Sequence, residues 1–347
     1  MPGRSAFGSS SSLGALKSIA DVLGEVDVRP IREAAEEPFL ISFISRDAPL
    51  ARHVASLLYR GPRPQDIPSV RAVEVLTLEA ALARTAFGRL AVVITREDRD
   101  NAVEAQLVRR LERANTPALV CFVGAPGALP LLRQHWLPAA TASLHTVGDA
   151  GYTLDDDRAT QQLTAAIRAA NAVDALALAR RLPAFRERVS RNLIEETAIA
   201  NAVYSASTGL AEILPIATVP LNVADLVVLT KNQAVMAYKI ALAMGMTGNF
   251  RQIMPQLAAV VGGGFVFRQI ARTLVGLVPG WGILPRTAIA FAGTFAMGEA
   301  IYRWCATGER LTEDALRQAY YSALARGRRM AQALLKSRPK RKRRAAA

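Results

Sequence analysis

The hydrophobic pattern of this chain changes its period once, near residue 172, and that change constrains the fold more than any other feature. Ahead of it, apolar runs of strand length alternate with segments of helical spacing. Strands are expected over 39–44, 73–76, 90–95, 117–123 and 143–147, and helices over 49–59, 79–85, 101–114, 129–134 and 157–170. Such alternation implies a mostly parallel sheet covered on both faces. Beyond the change no strand pattern survives. Helical segments are expected over 171–180, 184–210, 224–244, 250–277, 286–306 and 312–337, separated by Pro215, Pro220, Gly245, Gly248, Pro279-Gly280, Gly282, Pro285 and Gly308.

The chain therefore divides into an α/β domain over 38–171 and an all-α domain over 172–335, with a leader over 1–37 and a polybasic tail over 336–347. The leader is expected to be flexible to about residue 12, then to form a short amphipathic helix over 13–23 and a charged connector over 25–37. Its Ser/Gly run is not the apolar core of a secretion signal. Hydrophobic residues make up 51% and aromatics 6%, so the cores are built from Ala, Val, Leu and Ile, and a largely disordered chain is excluded. Cys121 and Cys305 lie far apart in apolar segments, which fits reduced thiols rather than a disulfide framework. His53, His135 and His145 lack the spacing of a zinc site, and no metal is expected.

The turn after the first expected strand reads Ser45-Arg46-Asp47-Ala48-Pro49-Leu50-Ala51-Arg52. A loop that wraps a triphosphate follows G-x-x-x-x-G-K-[ST], because glycine allows close backbone approach while lysine and a hydroxyl meet phosphate and magnesium. Neither glycine is present, and neither is the lysine. Pro49 has no N–H to offer, and Asp47 places a carboxylate near the phosphate position. Arg46 or Arg52 could replace the lost cation but not the backbone cradle. Two further positions agree. The second strand leads into Thr77-Leu78-Glu79-Ala80 where Asp-x-x-Gly would sense magnesium, and the fourth into Gly124-Ala125-Pro126-Gly127 where Asn-Lys-x-Asp would read guanine. No catalytic residue and no cofactor are expected.

In the helical half, Leu193-Ile194, Thr197-Ala198, Asn201-Ala202, Pro215, Pro220-Leu221, Ala224-Asp225, Leu229-Thr230-Lys231-Asn232-Gln233, Met236 and Gly245 form a pattern. Pro279-Gly280-Trp281-Gly282 at a turn and the small-residue stretch from Gly293 to Ala300 continue it. Over about 182–335 this pattern resembles the YcjF-like family of membrane-associated helical domains, which often follow Era-like GTPase domains. The resemblance implies that the first half is the GTPase partner with its signature loops eroded, a P-loop-GTPase-like but degenerate α/β fold.

Asp225, Val228, Leu229, Asn232, Gln233 and Met236 share one helix face. Two readings stand: a polar network of Asp225, Asn232 and Gln233 that links helices, or a contact to a partner or lipid headgroup. The longest charge-free run of the helical half, 252–267, has sixteen residues, short of the roughly 20 that a spanning helix needs. A hairpin about Pro279-Gly280 could enter one leaflet with Trp281 near the interface.

The formal net charge is +14, and seven of those charges lie between Lys336 and Arg344. The final helix sets Arg317, Arg326, Arg328, Arg329 and Lys336 among Leu316, Tyr320, Leu324, Met330 and Leu334, and the tail adds Arg338, Lys340, Arg341, Lys342, Arg343 and Arg344. A basic amphipathic helix followed by a polybasic tail is the pattern of a segment that lies on anionic lipid. Nucleic acid would answer the same charge, but no aromatic residue interleaves the tail and no recognition motif precedes it. The sequence points to a non-catalytic scaffold at the cytoplasmic face of the membrane, with a pseudo-GTPase domain, an anionic membrane surface and an unknown protein as partners. A divergent GTP-binding protein, a nucleic-acid-binding protein and a wholly cytoplasmic chain are the alternatives.

Overall fold

The computed structural model describes residues 26–62, 72–96, 100–124, 140–145, 154–211, 223–261 and 283–336. The expected helices over 13–23 and 129–134, the Pro279-Gly280 turn and the tail beyond Lys336 lie outside them. The chain forms two compact units. One comprises Pro30–Val189 together with Leu242–Met246, and the other comprises the rest.

The first unit is a doubly wound α/β domain. In chain order it contains α1 (Arg29–Glu36), β1 (Ile41–Ser45), α2 (Ala48–Leu57), β2 (Val73–Thr77), α3 (Leu78–Ala83), β3 (Leu90–Arg96), α4 (Ala102–Arg113), β4 (Ala118–Gly124), β5 (Ala140–His145), α5 (Asp156–Ala169) and α6 (Ala175–Arg181). The five strands are all parallel in the order β2-β1-β3-β4-β5. Every residue of β1 and β4, and six of the seven of β3, are buried. This is why β3 and β4 read as near-continuous apolar runs rather than as alternating ones, while β1 carries Ser42 and Ser45 among its apolar residues. Helices α3 and α4 cover one face, where Leu78, Ala81, Leu107, Val108 and Leu111 meet Ile44, Ala91, Val93, Val120 and Phe122. Helices α2 and α5 pack on the other face.

Four helices of this unit start on a side-chain cap written in the sequence: Asp47 accepts from the Leu50 N–H, Thr77 from Ala80, Asp155 from Arg158, and Asp174 from Leu176 and Ala177.

Three boundaries differ from the expected ones. The charged connector holds a helix, α1, with an Arg32–Glu36 pair one turn apart at 3.0 Å. The Arg181 guanidinium holds its end by donating to the carbonyls of Glu36 (2.7 Å) and Glu37. Ile31, Ala34 and Ala35 stand at helical spacing, with Ala35 buried, but the stripe is short and set among charges, so the segment reads as a connector. Strand β5 ends at His145 and begins at Ala140, three residues ahead of expectation, since pairing of Leu119 with Ala140 through Gly124 with His145 sets its extent. The compact unit also runs past 172 to Val189. Helix α6 and the Pro183–Phe185 turn dock on it, with Leu178, Leu182 and Phe185 all 0 or 1% exposed.

The second unit is helical: α7 (Arg186–Ala211) from Ser190 onward, α8 (Val223–Ala243) to Ala241, α9 (Phe250–Val261), α10 (Ile283–Thr307) and α11 (Glu313–Lys336). Ala198 and Ala202 of α7, Phe291, Ala292 and Ala296 of α10, and Tyr320 and Ala323 of α11 form its core. Close approach depends on small residues. A Cβ at Gly298 would stand 2.6 Å from Ile194 Cγ1, and one at Gly327 would stand 2.9 Å from the Ala288 carbonyl oxygen.

Candidate functional site

In an open parallel sheet, ligands bind beyond the carboxyl ends of the strands where the strand order reverses, here between β1 and β3. Only Arg46 and Asp47 separate β1 from α2. Asp47 turns its carboxylate back onto the helix, where Oδ1 accepts the Leu50 N–H at 3.0 Å, while its own N–H donates to Ser45 Oγ at 3.2 Å. Pro49 has no N–H, and the Ala51 N–H already donates to the Asp47 carbonyl at 3.0 Å. The amino end of α2, which would otherwise attract an anion, is thus occupied by a carboxylate of the chain itself.

Arg46 is committed as well. Its Nε and Nη2 donate to Glu104 Oε1 (2.8 Å) and Oε2 (3.1 Å), a two-point pairing. Glu104 is 4% exposed and Arg46 41% exposed. The paired carboxylate holds the Arg46 guanidinium above its ordinary range. Beside this pair, the buried Thr95 hydroxyl donates to Asn101 Oδ1, which closes the end of β3 onto the start of α4. At the end of β2, Thr77 caps α3, and hydrogen bonds from its own N–H and from the Thr77 hydroxyl hold Glu79 below the usual carboxylate range. Arg52, in the second turn of α2, is exposed. The structure thus brings Ser45, Arg46, Asp47 and Pro49 together in one closed turn and leaves Arg52 outside it. Of the fourth strand's loop, Gly124 is described and Ala125, Pro126 and Gly127 lie outside the described residues.

Glu104, Thr95 and Asn101 belong to this site and were not expected from sequence. A signal existed for Glu104: it precedes Leu107, Val108 and Leu111 by three, four and seven positions, which places it on the buried stripe of α4. A carboxylate on such a stripe needs a cationic partner.

In the helical unit, Asn232 Nδ2 donates to Asn201 Oδ1 (2.8 Å), Asn201 Nδ2 to Thr294 Oγ1 (2.9 Å), and Gln233 Nε2 to the same Thr294 oxygen (3.0 Å). Asn201 and Thr294 are 0% exposed. The network joins α7, α8 and α10 through neutral groups, so it can align helices but can neither transfer a proton near neutral pH nor activate a nucleophile. Asp225 lies in α8, with its side chain outside the description.

On α11, Arg326 pairs with Glu195 at 2.7 Å and lies over the rings of Phe295 and Phe291, with the guanidinium 5.0 and 5.5 Å from their centroids. It serves the bundle. Arg328 and Arg329 are exposed, and the side chain of Lys336 and all of Arg338, Lys340, Arg341, Lys342, Arg343 and Arg344 lie outside the described residues. The apolar stripe of α11 faces protein: Tyr320 and Ala323 are in the core, and Leu316, Leu324 and Met330 pack against it. That stripe is therefore not free to enter lipid.

Among the described residues no helix is long and apolar enough to cross a membrane, and no group of His, Cys, Asp and Glu could hold a metal ion. Burial pushes the Cys121 and Cys305 thiols up to about 12, which keeps them protonated and poorly nucleophilic. His53 pairs with Asp156 at 2.9 Å on the surface.

Geometry thus defines a class: a five-stranded, all-parallel α/β unit in the flavodoxin-like strand order, joined in sequence to a helical unit. That order is shared by proteins of many functions, so it fixes the fold and not the activity. No family model matches the chain, and neither the curated proteins nor the solved structures give a match.

Proposed function

We propose that this chain is a non-catalytic interaction protein at the cytoplasmic face of a membrane, whose α/β unit is a pseudo-GTPase domain that docks a protein partner. The observation that carries this is the closed turn after β1. Asp47 fills the amino end of α2, and Arg46 is spent on a buried Glu104. A triphosphate would have to displace the cap and break the ion pair, with no glycine to let the backbone close around it. The eroded loops of a YcjF-like, Era-associated arrangement and the polybasic run from Lys336 to Arg344 support the same proposal.

Thermal unfolding with and without GTP and magnesium tests it. A ligand present at 100 times its dissociation constant stabilises by about 2.7 kcal/mol, and so raises the midpoint of a domain this size by roughly 5–10 °C. The proposal expects no shift at millimolar nucleotide. A shift that Arg52→Ala abolishes would identify a divergent GTP-binding protein in its place.

A further inference from the structure

Two consecutive arginines of α6 hold the carboxyl ends of two other helices within the first unit. Arg181 donates to the carbonyls of Glu36 (2.7 Å) and Glu37 at the end of α1, and its guanidinium lies 5.1 Å from the centroid of the Phe39 ring. Arg180 donates through Nη1 to the carbonyls of Leu242 (3.3 Å) and Met246 (2.8 Å), where α8 ends, and its Nη2 stands 3.7 Å from Glu36 Oε1. This end of α8 is deeply set: Leu242, Ala243 and Met244 are fully buried, and the chain turns there through Gly245 at φ +89°. Carbonyls at a helix end lack helical N–H partners, and an arginine supplies donors in their place. One guanidinium therefore bridges α1 and the end of α8.

We infer that α1 is a strap: its docking on Arg180 and Arg181 fixes the end of α8, so that undocking α1 loosens the turn at Leu242–Met246. Side by side the two arginines repel. Burial first, and Arg180 second, lower the Arg181 guanidinium below its ordinary range, while Glu36 and Glu37 pull it back. The Arg180 side chain is only 12% exposed, so it too needs a carboxylate close by. Helix α1 supplies that carboxylate and is itself lightly held. It has eight residues, fewer than the roughly 12 that an isolated helix needs, and Ala35 is its one buried residue. A segment with so few apolar contacts opens before the sheet does. The coupling is reciprocal, because each side stabilises the arrangement of arginines that the other requires. It depends on neither nucleotide nor membrane, and a partner that takes up α1 would loosen the end of α8 through it.

Amide hydrogen exchange of the full chain, read at Leu242–Met246, at α1 and at β1, β3 and β4, tests this. Ala34→Pro breaks α1 in its interior. Exchange at Leu242–Met246 is then expected to rise about tenfold, within the usual range of coupling between two sites, while the three strands keep their wild-type rates. E36Q keeps the helix and removes only the carboxylate, and should raise exchange at Leu242–Met246 severalfold. R180M leaves the sequence of α1 intact and should nonetheless raise exchange in α1 as well as at Leu242–Met246. Wild-type rates at Leu242–Met246 in both A34P and E36Q would overturn the strap. So would wild-type rates in α1 of R180M. A rise of equal size in the strands of all three variants would mark a loss of global stability, and would overturn it too.

Discussion

In the α/β unit buried carboxylates with cationic partners stand beside buried hydroxyls and an amide, whereas the buried network that joins the helices of the helical unit is made of neutral amides and a hydroxyl alone. Glu104 pairs with Arg46, and Glu74, 9% exposed, takes hydrogen bonds from Arg84 at 2.8 Å and Ser42 at 2.7 Å. Arg186, 0% exposed, closes on the carbonyls of Pro62, Ala179 and Arg180. The helical unit answers with Asn201, Thr294, Asn232 and Gln233. Charged pairs fasten loop ends to a mostly apolar sheet, and a lost partner strands a charge. A neutral network strands only a donor, so it sets helix register at a lower cost when broken.

Substitutions can break this contrast. The largest effect is expected at Arg186→Met, which removes three hydrogen bonds to backbone carbonyls, one buried and two part-buried, and should destabilise the first unit by about 4 kcal/mol, measured by urea unfolding. Arg46→Ala leaves the Glu104 carboxylate buried without its cation. Because Arg46 is itself 41% exposed, solvent screens part of the loss, and about 2 kcal/mol is expected. The double variant R46A/E104L should recover most of it. If the double variant is as unstable as the single one, the pair is not what closes the turn. In the helical unit Thr294→Val keeps the shape but strands the Asn201 and Gln233 donors, at about 1–2 kcal/mol, and Gly298→Ala should cost a similar amount by driving a Cβ into Ile194.

Alkali supplies the smallest effect near neutrality. Burial raises Cys121 from an ordinary 9.0 to about 12, and a thiol whose folded value is raised stabilises fully below the unfolded value and less as pH climbs toward the folded one. Stability should be flat in this respect to about pH 9, then fall by roughly 1 kcal/mol per pH unit for each of Cys121 and Cys305 until about pH 12, with Cys121→Ser removing its own share of the slope. Thiol reagents should leave folded Cys121 unmodified at pH 8.

Much of this architecture is legible in the residues themselves. Strands β1, β3 and β4 announce themselves because both their faces are buried, and the caps at Asp47, Thr77, Asp155 and Asp174 mark helix starts. What escapes a one-dimensional reading is whatever depends on a distant partner. Helix α1 has a short stripe of its own in Ile31, Ala34 and Ala35, but the hold of Arg181 on its end comes from some 145 residues away in sequence. Strand β5, Ala-Thr-Ala-Ser-Leu-His, has little apolar signal of its own and takes its limits from β4. At the candidate site, Asp47 and Pro49 could be read locally, but Glu104 lies 58 positions from Arg46. The amphipathic pattern of α11 is the sharpest case: it is real, yet periodicity alone does not say whether the apolar side meets lipid or protein, and here it meets Phe291, Ala292 and Ala296.

The central claim is that the turn after β1 is shut by the chain's own carboxylates and cannot hold a triphosphate. Equilibrium dialysis of the purified full chain against labelled GTP with magnesium measures this directly. No retention above the free ligand is predicted at millimolar concentration, for the wild type and for D47A alike, since removing the cap restores neither glycine nor lysine. Saturable retention of one GTP per chain would contradict the account.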